Sequence, residues 1–180
     1  MKTTLIVLTL VFFQFFAYSQ DLTEKHIKEI RNEYAYINSN LAKFSKKEIF
    51  VSNDEVYWRN TNYTGYLNDK NQLVFLTYKV GEEGYGTEIQ YYFKNDKLFF
   101  NYVYSIDPEE NETEERYYFY DSQIIKALIK ERKFDNKLSL DKIANKENKE
   151  VIKNVVEFSK IQVDNANLDK KQFFDAINKE

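Results

Sequence analysis

Residues 91–104 read YYFKNDKLFFNYVY, with aromatic side chains on both sides of a single Asn-Asp pair. Apolar residues alternate into the pair and out of it again, the pattern of two antiparallel strands joined by a two-residue turn. By strict alternation Tyr91, Phe93, Leu98, Phe100, Tyr102 and Tyr104 share one face, which is assigned to the core. The other face is not uniformly polar: it carries Tyr92, Phe99, Val103, Tyr118 and Tyr120 among Glu88, Gln90 and Asn101. A one-sided antiparallel sheet normally alternates apolar with polar. This second aromatic face therefore needs a cover: the chain's own helices, a partner or a ligand.

The same unit occurs three times. Tyr66-Leu67-Asn68-Asp69 leads to Leu73, Tyr92-Phe93-Lys94-Asn95 to Leu98, and Tyr118-Phe119-Tyr120-Asp121 to Ile124. Each is an aromatic strand end, an Asn/Asp turn and an apolar strand start. One such unit cannot bury its own face, so three stacked in one sheet is the physical reading. Val74, Leu76, Tyr78 and Val80 alternate in the same way, as do Ile89, Tyr91 and Phe93. Short connections make neighbours antiparallel, which predicts a meander of five to six strands. The long stretch from Asp107 to Glu114, with the lone proline Pro108, reads as a loop.

The form Y-Y-F-x-[ND]-x-[KQ]-[LI]-[FI] over residues 61–130 resembles a group of small exported bacterial proteins built from repeated "YYF…GKL" hairpins. Here Asn95-Asp96 and Asp121-Ser122 stand where that pattern has its turn glycine. The resemblance implies an exported helix-plus-sheet fold. It implies no activity and no catalytic residues.

Before the sheet, Asp21 and Glu24 form a D-x-x-E capping box, and Ile27, Ile30, Tyr34, Ile37, Leu41 and Phe44 recur at spacings of three and four. They predict a helix of about six turns, Leu22 to Phe44, lying across the sheet. After Ile129 the chain turns polar and lysine-rich. Val151, Ile152, Val155, Phe158 and Ile161 then return to helical spacing. Leu168 to Ile177 reads as a short last helical segment, docked weakly. The fold class expected is α+β: a long N-terminal helix packed on the antiparallel meander, followed by C-terminal helices.

At the N-terminus, Lys2, the apolar run Leu5–Phe16 and Ala17-Tyr18-Ser19 read as a secretory signal peptide cleaved between Ser19 and Gln20. The apolar run is shorter than the roughly 20 residues of a membrane span. The division expected is therefore a signal at 1–19, one α+β domain at 20–164 and a helical tail at 165–180. The destination is the bacterial periplasm or the medium, with no transmembrane segment after cleavage. The chain has no cysteine, so neither disulfide nor thioether-linked lipid is available.

The composition removes several function classes. There are 26 Lys and Arg against 29 Asp and Glu, and loss of Lys2 makes the balance more acidic, which argues against nucleic acid as a partner. The one histidine, His26, falls in the first turns of the helix and reads as a surface or half-buried residue rather than a triad base, and one histidine without cysteine rules out the common zinc sites. No Gly-rich phosphate loop is written. Carboxylates crowd the stretch from Asp107 to Glu115, but without EF-hand spacing they read as a solvated loop. No catalytic residue, metal ligand or cofactor is therefore assigned.

What remains is an exported, non-enzymatic binding or interaction module that uses the second aromatic face. Tyr92, Phe99, Tyr118 and Tyr120 are the candidate contacts for a protein, peptide or glycan of the cell envelope. Two alternatives stay open. One is a small glycan hydrolase using two carboxylates across a cleft. The other is an envelope structural or assembly factor that presents its amphipathic N-terminal helix to a partner.

Overall fold

The structure, a computed structural model, describes residues 22–51, 61–82 and 84–179. The expected signal peptide and Asp21 of the capping box lie outside the described residues. Helix α1 spans 22–39. It is followed by strands β1 (Ser45–Val51), β2 (Thr61–Leu67), β3 (Leu73–Glu82), β4 (Tyr85–Lys94), β5 (Lys97–Ile106), β6 (Glu112–Tyr120), β7 (Gln123–Arg132) and β8 (Lys146–Glu147). Helices α2 (Lys149–Lys153) and α3 (Val155–Ile177) close the chain. The strands form one antiparallel sheet in sequence order, β1 to β8. The α+β meander is as expected, with eight strands rather than five to six. The additional strands include β1, whose SKKEIFV carries little alternation, and the two-residue β8.

Each face of the sheet has its own helix. Ile27, Ile30 and Ile37 of α1 pack on Phe75, Tyr92, Phe99, Phe100 and Tyr118. Val151 of α2 and Ala166 and Phe173 of α3 pack on Leu76, Tyr91, Phe93, Tyr117 and Phe119 across the opposite face. The aromatic content is thus two cores, one on each side.

Helix α1 is about five turns long, one fewer than the spacing predicts. It stops at Asn38-Ser39-Asn40, where the amides of Asn38 and Asn40 donate to the carbonyls of Tyr34 and Tyr36. Such side chains compete with the helical ladder. Leu41 and Phe44, in the 3-10 turn and just after it, still reach the α1 core. On the other side, α3 runs unbroken through the boundary expected at 164/165. Phe173, in the segment read as a weakly docked tail, is fully buried.

Strict alternation fails at one place in each repeat. Tyr92 pairs with Phe100 and Phe93 with Leu98, so Phe99 is an extra residue. The same slip occurs between Tyr66/Leu67 and Phe75/Leu73, and between Tyr118/Phe119 and Lys126/Ile124. These are β-bulges, and each reverses the alternation beyond it. Phe100 and Tyr102, assigned by period to the face of Tyr91, therefore lie on the α1 face with Tyr92. Leu98 stays with Tyr91 and Phe93. At the third bulge, Ser159 of α3 accepts from the Ile124 amide at 2.9 Å.

With the bulges in place, the 26-residue repeat acquires a geometric meaning. Tyr66, Phe75, Tyr92, Phe100 and Tyr118 are successive cross-strand partners. Their rings form a row beneath α1, with neighbouring centroids 5.5, 4.6, 5.7 and 5.0 Å apart. The repeat length is what returns a tyrosine to that row on every second strand.

The turns of the second and third repeats have positive φ at both central residues: 51° and 62° at Asn95-Asp96, 46° and 67° at Asp121-Ser122. That is the requirement of a type I′ hairpin, and serine fits it least well. Ser122→Gly is expected to stabilise the protein by about 0.5–1 kcal/mol in chemical denaturation. An unchanged or lowered midpoint would rule out strain at this turn.

The acidic stretch is only partly a loop. Asp107 closes the turn by accepting from the backbone and side-chain nitrogens of Asn111, both at 2.8 Å, and these bonds hold its carboxyl below the usual range. From Glu112 onward the residues belong to β6. Glu112 pairs with Arg132 at 2.8 Å, and Glu114 with Arg116 at 2.7 Å and Lys130 at 3.4 Å.

Candidate functional site

The four aromatics singled out in the sequence lie together on the α1 side of the sheet. Tyr92, Phe99 and Tyr118 are buried beneath the helix. The Tyr92 ring has no exposed surface, and its hydroxyl reaches Gln90 Oε1 at 3.0 Å and Asn38 Oδ1 at 3.2 Å. Tyr118 carries the Arg31 guanidinium 5.8 Å from its ring centroid. Only Tyr120 meets solvent, at 53% exposure, with the His26 ring stacked on it at 3.7 Å. The cover of the second aromatic face is therefore α1 itself. The apolar stripe of α1 is likewise spent on the protein's own sheet.

Beside Phe99 and Tyr120 lies a groove of about 380 Å³, and a larger space is on the other face. Helix α3 crosses the sheet obliquely, from Ser159 at β7 to Phe173 over Gly65 of β2. Its buried positions, Ser159, Ala166 and Phe173, are seven residues apart. Between α3 and strands β2 to β6 lies a cleft of about 640 Å³. That is within the range of small-molecule sites, roughly 300–1,000 Å³.

The chemistry of this cleft centres on Asp169. The Tyr63 hydroxyl donates to its Oδ1 at 2.9 Å and the Tyr78 hydroxyl to its Oδ2 at 2.8 Å. Tyr63 also lies 2.9 Å from Gln172 Oε1, and the Tyr91 ring stands beside Tyr78 on the same wall. Burial raises the pKa of Asp169, and the tyrosine hydrogen bonds only partly oppose that shift. Burial is also the largest cause of the raised pKa values of Tyr63, Tyr78 and Tyr91, with the Asp169 charge adding to each. The rings stand side by side, Tyr63 and Tyr78 at 5.0 Å, Tyr78 and Tyr91 at 6.4 Å.

Asn101 on β5 adds a second feature. It is fully buried, and its Nδ2 donates to Gln162 of α3 at 2.7 Å, while its Oδ1 has no partner among the described residues. Buried acceptors are rarely left unmade, because leaving one unpaired costs about 1–3 kcal/mol. Glu115, the other carboxylate lining the cleft, accepts from Asn148 at 3.0 Å. No lysine, arginine or histidine is among the described residues that line the cleft.

Alternation placed Tyr91 and Tyr78 in a core, and nothing marked them as polar-site residues. Asp169 lies in the segment read as a weakly docked tail. The one sequence signal available was Asn101, a polar residue inside an otherwise aromatic strand. Among the described residues no cluster of three or more acidic or histidine side chains is arranged to hold a metal ion, and no helix is long and apolar enough to cross a membrane. Compared with family models, with curated proteins and with solved structures, the chain has no match.

Proposed function

We propose that this protein is an exported, non-enzymatic binding module whose ligand site is the tyrosine-lined cleft under α3. The observation that carries the reading is a buried carboxylate held by two tyrosine hydroxyls, beside an unpaired buried Asn101 oxygen, in a cleft of small-molecule size. A mostly apolar wall with a few convergent polar groups is the usual constitution of a ligand pocket. Export is supported by Lys2, the apolar run Leu5–Phe16 and Ala17-Tyr18-Ser19, and by the likeness to exported hairpin-repeat proteins.

The test compares the two faces. A small-molecule panel of sugars, amino acids, peptides and amines is screened by thermal shift on the wild type, Val103→Phe and Tyr120→Ala. Val103 lines the floor of the cleft, so phenylalanine there obstructs it without removing a polar group. A ligand at about 100 times its Kd should add about 2.7 kcal/mol of stability. That gain is expected in the wild type and Tyr120→Ala, and is lost in Val103→Phe. A gain that survives Val103→Phe, or no gain with any panel member, overturns the reading.

A hydrolase remains the second reading because Asp169 and Glu115 line the same cleft. Both Asp169 oxygens already accept tyrosine hydroxyls, which suits holding a ligand better than moving a proton. Release of reducing ends from envelope glycans, abolished by Asp169→Asn, would establish hydrolysis instead.

A further inference from the structure

The geometry points to a protonated linear polyamine as the ligand of the α3 cleft, an inference that rests on the binding reading above. The sheet side of the cleft is rich in acceptors, while Gln162, Asn165 and Gln172 of α3 bring side-chain amides. The Tyr63 and Tyr78 hydroxyls spend their protons on Asp169, so what they offer a ligand is lone pairs. Asn101 Oδ1 is a further acceptor without a donor. A guest that satisfies Asp169, Glu115 and Asn101 Oδ1 must bring N–H groups.

It must also bring positive charge. Asp169 is buried with only neutral donors around it, and no cationic side chain is among the described residues lining the cleft. A buried carboxylate without a counter-charge is costly, and an ammonium group beside it would remove that cost. The adjoining faces of Tyr63, Tyr78 and Tyr91 suit the same guest, since an ammonium is attracted to an aromatic face within about 6 Å. A neutral sugar would leave the carboxylate uncompensated.

The spacing favours more than one charge. Tyr78, Ile89, Val103 and Glu115 are successive cross-strand neighbours, so Glu115 stands three strands from the tyrosine that holds Asp169. At about 4.8 Å per strand, the backbones of Tyr78 and Glu115 are roughly 14 Å apart. One ammonium at Asp169 and another toward Glu115, with the methylene chain over Ile89 and Val103, uses both acids and the apolar floor between them.

The test is calorimetric titration of the protein with spermidine, 1,4-diaminobutane, n-butylamine and maltose, in 150 mM salt with magnesium present to suppress loose charge binding. Spermidine is expected to bind, n-butylamine at least tenfold more weakly, and Val103→Phe should abolish binding. Asp169→Asn and Glu115→Gln should each weaken spermidine at least tenfold. Glu115→Gln keeps an acceptor for Asn148, so it serves as the folded control if Asp169→Asn proves unstable. Equal binding of spermidine and n-butylamine, or spermidine binding indifferent to both carboxylate variants, overturns the polyamine assignment. Maltose bound in a Val103→Phe-sensitive way without spermidine binding also overturns it, while leaving the cleft as a binding site. If no probe responds to Val103→Phe, the assignment fails, and the panel screen then decides the binding reading separately.

Discussion

Gly65→Ala is expected to lower the unfolding free energy by about 3 kcal/mol, the upper end for overpacking a filled core. A Cβ at residue 65 would lie 2.2 Å from Cζ of Phe173 and under 3 Å from both of its Cε atoms. The ring is fully buried and cannot swing into solvent, so α3 or β2 must shift to admit the methyl group. Phe173→Ala alone should cost about 3–5 kcal/mol by leaving a cavity. The two changes together should cost less than their sum, because the ring that clashes is gone, with a coupling of about 1–3 kcal/mol. Urea denaturation of the four proteins measures this. A Gly65→Ala protein within 0.5 kcal/mol of wild type would show that the ring does not rest on Gly65. The experiment bears on the cleft too, since the Phe173–Gly65 contact holds the end of α3 that carries Asp169.

The second large effect is on the opposite face. Tyr92→Ala is expected to cost about 3–5 kcal/mol, as for other large buried aromatics. Tyr92 occupies the middle of the aromatic row, with Phe75 on one side, Phe100 on the other and Tyr34 of α1 above it. Tyr92→Phe keeps the ring and removes only the hydroxyl, for about 1 kcal/mol. Tyr120→Ala, at an exposed position, should fall within about 0.5 kcal/mol of wild type. If Tyr92→Ala and Tyr120→Ala cost the same, Tyr92 is not part of a packed core.

The hairpin repeat and the stripe of α1 were legible because local periodicity alone produces them. Asn95-Asp96 and Asp121-Ser122 define their turns within four residues of chain. The bulges were written more faintly, as apolar doublets just after each turn: Leu73-Val74, Leu98-Phe99 and Ile124-Ile125. A period-2 reading passes over such a doublet and carries every later residue to the wrong face. Phe100, Asn101, Tyr102 and Val103 were misplaced for that reason alone.

The cleft could not be read in this way. It depends on Asp169 meeting Tyr63 and Tyr78, which are 106 and 91 residues away along the chain. That meeting is set by the oblique path of α3, which Ser159 anchors at β7 and Phe173 anchors on Gly65. Local pattern decides which residues alternate, cap and turn, because those interactions act between near neighbours. Which of two aromatic faces is covered by large apolar side chains and which keeps the larger polar cleft was decided only when the two helices packed, α1 with its isoleucines and α3 with a row that includes Ser159 and Ala166.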